Sequence, residues 1–173
     1  MDIWRIERDP INFKIGPLSD TSWKVVEIME KQILFLCTGN SCRSQLAEAI
    51  VNHDLAGQWK ASSAGTKPAG YVHPMAIKVL EELGIQHHGV SKSVERFRDD
   101  TFDLVITVCD DAAENCPVWL GKGKKAHISF PDPAKTQGTE EEILAAFRKV
   151  RDDIRKKVNH YLQQYLQELE VIS

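Results

Sequence analysis

No stretch of this chain is apolar enough to cross a bilayer. The longest aliphatic run, Ile33-Leu34-Phe35-Leu36, is four residues long, against the roughly 20 that a spanning helix needs. The N-terminus, Met1-Asp2-Ile3-Trp4-Arg5, lacks the basic start and apolar stretch of a secretory signal, so the expected compartment is the cytoplasm. Neither charge sign is in excess: 22 Lys plus Arg face 25 Asp plus Glu, a formal net charge of −3. That balance gives no general reason to expect nucleic acid or a membrane surface as partner, although a weakly acidic protein can still carry a locally positive site for a small anion. Repeats and low-complexity tracts are absent too. What remains, 173 residues with 42% hydrophobic and 27% charged, is ordinary for one globular domain, and a monomer is the expected state.

Cysteine is scarce, and its scarcity is informative. There are four, Cys37, Cys42, Cys109 and Cys116. A compartment that keeps thiols reduced makes a structural disulfide framework a poor explanation for them. Metal binding or thiol catalysis explains them better.

Residues 1–31 mix Pro10, Gly16, Pro17 and scattered charges, then read as a short helix from Trp23 to Lys31. They form an N-terminal extension to which the sequence assigns no role. A regular pattern starts beyond it, in a catalytic domain of residues 32–173. Ile33 to Leu36 is the continuous apolar run of a strand buried on both faces of a parallel sheet. A glycine-containing loop follows, then a helix from Ser44 to about Leu55. Trp59 to Ser63 reads as a second strand. His73 to Leu83 reads as a helix with Gly84 at its C-terminal cap. Phe102 to Val108 and, more weakly, Ala126 to Phe130 supply two further strands. From Glu140, the residues Ile143, Phe147, Val150, Ile154, Val158, Tyr161 and Tyr165 recur in steps of four and three, an amphipathic helix. This alternation predicts an α/β fold: a four-stranded parallel sheet flanked by helices on both faces, three layers αβα. Ligands in such sheets bind beyond the C-terminal ends of the strands, where Cys37, Cys109 and Asp132 all fall.

The segment Cys37-Thr38-Gly39-Asn40-Ser41-Cys42-Arg43-Ser44 joins the first strand to the first helix. Small residues between Cys37 and Arg43 let the backbone curl until successive N–H groups face one bowl, a nest for a tetrahedral anion. The helix N-terminus behind it adds unsatisfied donors and a positive dipole end. Arg43 can fork two hydrogen bonds onto an oxyanion. The same field is expected to favour the thiolate of Cys37, with Ser44 holding it through its hydroxyl and Asn40 accepting the left-handed backbone of a tight loop. Thr38, Gly39, Asn40, Ser41, Cys42, Arg43 and Ser44 are therefore the candidate substrate-binding residues. A Walker-type nucleotide loop is excluded by the missing Gly-Lys-Ser/Thr ending.

On these residues the chain resembles the low-molecular-weight phosphotyrosine phosphatase superfamily, whose phosphate loop is Cys-x5-Arg-Ser/Thr. Within it, Cys-Thr-Gly-Asn-Ser-Cys-Arg-Ser is similar to the thioredoxin-coupled arsenate reductases. The resemblance runs from about Ile33 to Val158. It implies that Cys37 attacks arsenate to form a thiol–arsenic adduct. Cys109 then attacks Cys37 and releases arsenite, and Cys116 attacks Cys109, leaving a disulfide that thioredoxin reduces. By the same resemblance Asp132, in Pro131-Asp132-Pro133, supplies a general acid. No cofactor is implied. The catalytic set is thus Cys37, Arg43, Cys109, Cys116 and Asp132, and the implied role is arsenic detoxification. The choice of thioredoxin over glutaredoxin stays open.

Residues 110–115 look helical, and seven residues of helix separate Cys109 from Cys116 by roughly 10 Å, beyond the roughly 7 Å a disulfide tolerates. Residues 110–118 are therefore expected to loop out on oxidation. Some of the resembling reductases hold a monovalent cation, and Asn40, Glu48 and Ser63 match part of that site. Lys92, however, falls where an acidic ligand is expected, so an ammonium group can take the ion's place. Cys42 is expected to pack, with an off-pathway disulfide to Cys37 as the alternative. His87-His88 are expected in a solvated loop, and Lys122, Lys124 and Lys125 on a solvated surface. Rival readings are a phosphotyrosine phosphatase sharing the loop, and a non-enzymatic redox or zinc module built on the four cysteines.

Overall fold

A computed structural model describes residues 4–8, 13–17, 24–26, 30–110 and 119–172, with backbone alone before residue 30 and at Ile172. The strands Trp4–Arg8 (β1), Phe13–Pro17 (β2) and Lys24–Val26 (β3) form a small antiparallel sheet in the order β1-β2-β3. Phe13 pairs with Val26 and Ile15 with Lys24. The helix expected from Trp23 to Lys31 is therefore not formed. The β-branched pair Val25-Val26 favours extended backbone, and β2 offers it a non-local partner that no local pattern reveals. Lys31 is instead the first residue of a central strand.

That strand, Lys31–Cys37 (β4), leads through the Cys37–Ser44 loop into Arg43–Asp54 (α1) and back through Trp59–Gly65 (β5). Pro74–Glu81 (α2), Leu104–Thr107 (β6), Lys124–His127 (β7) and the long helix Glu140–Ile172 (α3) follow, with 3-10 turns at Val94–Phe97 and Pro133–Lys135. The four strands form one parallel sheet in the order β5-β4-β6-β7. This is the fold class read from the sequence. The last strand starts earlier than its apolar run suggested, because β7 is an edge strand on which exposed lysines are tolerated and serve to block further pairing. Phe130 lies beyond the strand, buried in the core.

The two ends of α2 and the start of α3 have local causes. The side chain of His73 accepts the Met75 N–H, and Pro74 occupies the first turn of α2, where its missing donor costs nothing. After α2, Gly84 takes a φ of +74° and the Ile85 N–H returns to the Leu80 carbonyl at 3.1 Å, a glycine cap. At α3, Thr139 and Glu142 cap one another: the Thr139 N–H donates to Glu142 Oε2 at 2.7 Å, and the Glu142 N–H to Thr139 Oγ1 at 3.3 Å.

Ile33, Phe35, Leu104 and Ile106 on one sheet face join Leu46 and Ile50 of α1, Val79 and Leu80 of α2, and Phe147, Ile154 and Leu162 of α3 in one buried cluster. The opposite face, with Leu34, Leu36 and Val105, is covered among the described residues by Phe97, Phe102 and Trp119. Each large side chain so buried contributes about 1.5–3 kcal/mol. Among the described residues no helix is long and apolar enough to cross a membrane.

Gly65 ends β5 opposite Cys37. A Cβ there would lie 2.5 Å from the Thr38 carbonyl oxygen and 2.9 Å from the Asn40 nitrogen, both backbone atoms that cannot swing aside. Gly65→Ala is expected to cost about 1–3 kcal/mol by overpacking, read as a fall in thermal midpoint, and to slow alkylation of Cys37 by iodoacetamide as the loop is displaced.

Candidate active site

β4 and β6 are adjacent and parallel, so their C-terminal ends deliver Cys37 and Cys109 to the same edge of the sheet; the Val108 N–H donates to the Leu36 carbonyl at 2.9 Å. Both cysteines are buried. Cys37 and Cys42 are free thiols, whereas Cys109 is in a disulfide that involves neither of them. Cys116 and the segment expected to be helical and to loop out lie, except for Asp110, outside the described residues.

The loop between Cys37 and Arg43 is shaped from outside. Backbone N–H groups of Lys67, Ala69 and His73 donate to the carbonyls of Thr38, Gly39 and Ser41, each at 2.9 Å, and Ser91 Oγ adds a bond to Gly39 O at 3.1 Å. In a planar trans peptide the carbonyl and the following N–H point opposite ways. Turning these three carbonyls outward therefore turns the N–H groups of Gly39, Asn40 and Cys42 inward. One of them is seen at work: the Asn40 N–H donates to Cys37 Sγ at 3.1 Å. Asn40 has a φ of +44°, the one non-glycine residue with positive φ among those described, a position asparagine tolerates better than most residues.

The Asn40 side chain is wholly buried and its orientation is unambiguous. The Lys92 backbone N–H, which can only donate, sits 2.6 Å from Asn40 Oδ1. Asn40 Nδ2 must then donate, to Ser44 Oγ at 2.9 Å and Ser63 Oγ at 2.8 Å. With that lone pair taken, the Ser44 hydroxyl is free to donate to Cys37 Sγ at 3.0 Å, and Ser63 donates to Glu48 Oε2. Gln45 follows the same logic. Its Nε2 faces the Asn40 and Val90 carbonyls at 3.2 and 3.0 Å, so its Oε1 accepts from His87 Nε2 at 2.7 Å. His87 is therefore a partly buried strut of the loop and not the solvated residue expected; burial pushes its pKa down. His88 is exposed.

Arg43 is only 4% exposed in its side chain. Its Nη1 donates to the Phe130 carbonyl at 3.2 Å, and its Nη2 lies 3.2 Å from Asp132 Oδ2. The other Asp132 oxygen accepts the Ala134 N–H at 3.1 Å. Cys37, Gly39, Ser41, Cys42, Arg43, Ala69, Tyr71, His73, Asp132 and Ala134 line one cleft of about 170 Å³. Burial, reinforced by the negative charge of Asp132, pushes the Cys42 thiol up to about 12, so it remains S–H at neutral pH. His73 and Tyr71 were not foreseen as cleft residues. His73 was legible only as a helix start; burial lowers its pKa, and its ring stacks on Phe147 at 4.7 Å. Tyr71, 57% exposed at the mouth, carries no local signal at all.

The Asn40, Ser63 and Glu48 cluster is closed by Lys92, whose Nζ stands 3.3 Å from Glu48 Oε2 with both side chains largely buried. With that ammonium already set against Glu48, the residues present do not fit a bound monovalent cation. Among the described residues no group of three or more His, Cys, Asp or Glu can hold a metal. Lys122, Lys124 and Lys125 are exposed, with Lys124 Nζ over the Tyr165 ring at 4.7 Å.

The sequence profile of the family described as low molecular weight phosphotyrosine protein phosphatase matches residues 32–171. An arsenate reductase of Bacillus subtilis (strain 168) is 42% identical over 137 residues, 78% of this chain and 98% of that protein. Among solved structures, an arsenate reductase from Archaeoglobus fulgidus superimposes with a TM-score of 0.64 at 28% identity, covering 76% of this chain and 98% of that one. A thioredoxin-dependent arsenate reductase of Corynebacterium glutamicum does so with a TM-score of 0.55 at 25% identity, over 79% of this chain and 63% of the other.

Replacing Lys92 by Gln leaves the Glu48 carboxylate without its counter-charge. The variant is expected to lose about 1–3 kcal/mol, seen as a lower thermal midpoint, and to regain part of it in potassium chloride but not in choline chloride. Equal midpoints in the two salts would mean that the vacated pocket takes no cation.

Proposed function

The chain belongs to the low molecular weight phosphotyrosine protein phosphatase family, and we propose that residues 32–173 use that family's anion loop to reduce arsenate to arsenite, with residues 1–31 as an extension outside the chemistry. The observation that carries this reading is the pair of buried cysteines on neighbouring strand ends: Cys37 free at the anion loop, Cys109 already in a disulfide with neither loop cysteine. A phosphatase needs only the first. A reductase needs a second sulfur to take up the oxidation.

The steps balance as follows. Arsenate enters the bowl of inward N–H groups and the Arg43 guanidinium. The Cys37 sulfur forms an S–As bond, and one arsenate oxygen leaves as water after protonation. Asp132, beside Arg43, would supply that proton. The Cys109 thiolate then attacks Cys37 Sγ. The S–S bond forms as the S–As bond breaks, and the electron pair of that bond stays on arsenic, taking it from As(V) to As(III). Cys116 attacks Cys109 and frees Cys37. Reduction of the Cys109–Cys116 disulfide by thioredoxin, through thiol exchange, closes the cycle. The identity of the curated arsenate reductase and the thioredoxin-dependent structural relative both support this assignment.

A phosphatase reading has one observation in its favour: Asp132 lines the same cleft as Cys37 and Arg43, and the leaving group of a phosphomonoester would need a proton there. A side phosphatase activity is consistent with the geometry. The two readings part on electrons. With thioredoxin and its reductase, NADPH consumption is expected to depend on arsenate. Cys37→Ser is expected to abolish both chemistries, and Cys109→Ser to stop reduction while sparing hydrolysis of aryl phosphates. Cys116→Ser is expected to release about one arsenite per enzyme when thioredoxin is the sole reductant, since the disulfide would stay on Cys37. Repeated turnover by that variant would contradict the relay.

A further inference from the structure

We propose that Cys37 and Cys42 together chelate trivalent arsenic, so that the loop which binds the arsenate substrate also forms a two-sulfur site for the product; this rests on the arsenate-reducing reading above. Both are free thiols, both are buried, and both line the same cleft. They sit at the two ends of one tight loop, and Cys42 is close enough to Cys37 and Asp132 to feel their charges. The cleft, about 170 Å³, is built for a four-oxygen anion and therefore admits the smaller arsenous acid. The reaction proposed for Cys37 uses the backbone N–H of Cys42 but not its thiol.

The chemistry requires no oxidant or reductant. Arsenous acid carries three hydroxyl groups on As(III). The Cys37 sulfur displaces one and the Cys42 sulfur a second. Each new S–As bond replaces an As–O bond, and each displaced hydroxide leaves as water with one proton. Neither arsenic nor sulfur changes oxidation state. Cys42 brings its own proton to this exchange, because burial keeps it as S–H. The third hydroxyl stays on arsenic, facing the mouth where Tyr71 stands exposed. Cys109 cannot add a third sulfur in this state, since it is buried in a disulfide.

The order of the relay then acquires a second meaning. While Cys37 is tied to Cys109, the chelate cannot form and arsenite leaves. Once the disulfide has moved outward, Cys37 and Cys42 are again paired thiols, and accumulated arsenite can close the site against arsenate. The site thus makes arsenite a product inhibitor of the form of the enzyme that is ready for substrate.

The test uses the full chain with the Cys109 disulfide intact and arsenite as the probe, with no arsenate present. Arsenic X-ray absorption of the bound complex is expected to show two sulfur neighbours and one oxygen. Cys42→Ser is expected to leave one sulfur neighbour and to weaken arsenite binding by about 100-fold, the gain usual when a second contact becomes intramolecular. One sulfur in the unsubstituted protein, or affinity within about threefold on Cys42→Ser, would overturn the chelate. The sulfur count on the unsubstituted chain decides the matter even if that variant does not fold. Arsenate-dependent NADPH consumption, measured separately, tests the enzymatic reading: its failure would remove the arsenate chemistry without altering the sulfur count.

Discussion

The hydrogen bond from the Lys92 backbone N–H to Asn40 Oδ1 sets the direction of the side-chain hydrogen bonds that link Asn40, Ser44, Ser63, Cys37 and Glu48. An amide side chain can be turned either way, and two hydroxyls can each donate or accept. A backbone N–H cannot. Once it claims Oδ1, the Asn40 amino group must serve Ser44 and Ser63, the Ser44 proton is left for Cys37, and the Ser63 proton for Glu48. The same lysine accepts the Gly65 N–H on its carbonyl at 2.8 Å and places its ammonium on Glu48. One residue thereby ties the end of β5, the floor of α1 and the left-handed turn at Asn40 into one unit. A buried network of this kind has force because no member is left unpaired.

The loop is held in shape by what surrounds it. Its carbonyls are capped from outside by the segment from Lys67 to His73, and its inward donors stand ready before any anion arrives. Donors fixed in advance need no reorganisation when charge develops, which is why such arrangements favour transition states. The arginine is held on one side by the Phe130 carbonyl and on the other by Asp132. An incoming oxyanion must therefore share Arg43 with a carboxylate or displace it. The two positions on adjacent strand ends, Cys37 and Cys109, differ in just this respect. One is embedded in the fixed bowl. The other, wholly buried, lies just beyond the end of β6.

Most of the sheet and all three long helices could be read from the sequence, because their signals are local: a run of four aliphatic residues, apolar recurrence in steps of three and four, Pro74 at a helix start and Gly84 beyond its end. The same holds for the Cys-x5-Arg loop, whose meaning lies in spacing. The failures share one cause. The segment around Val25 reads locally as helix because its strand partner, Lys14 of β2, lies 11 residues earlier and the pairing leaves no trace at short range. His87 reads as solvated because its partner, Gln45, lies 42 residues earlier. His73 and Tyr71 reach the cleft only because the chain after β5 folds back over the loop.

Two things about this protein were thus legible in the sequence alone: the four-stranded parallel sheet with its helices, and the Cys-x5-Arg loop at the end of its central strand. Both follow from periodicity and spacing within a dozen residues, the range over which covalent geometry constrains the chain. Tertiary structure alone decided which way the buried amides and hydroxyls point, that the Lys92 ammonium is set against Glu48, and that two thiols share one cleft. Those outcomes depend on contacts between segments far apart in the chain, and only packing brings such segments within hydrogen-bonding distance.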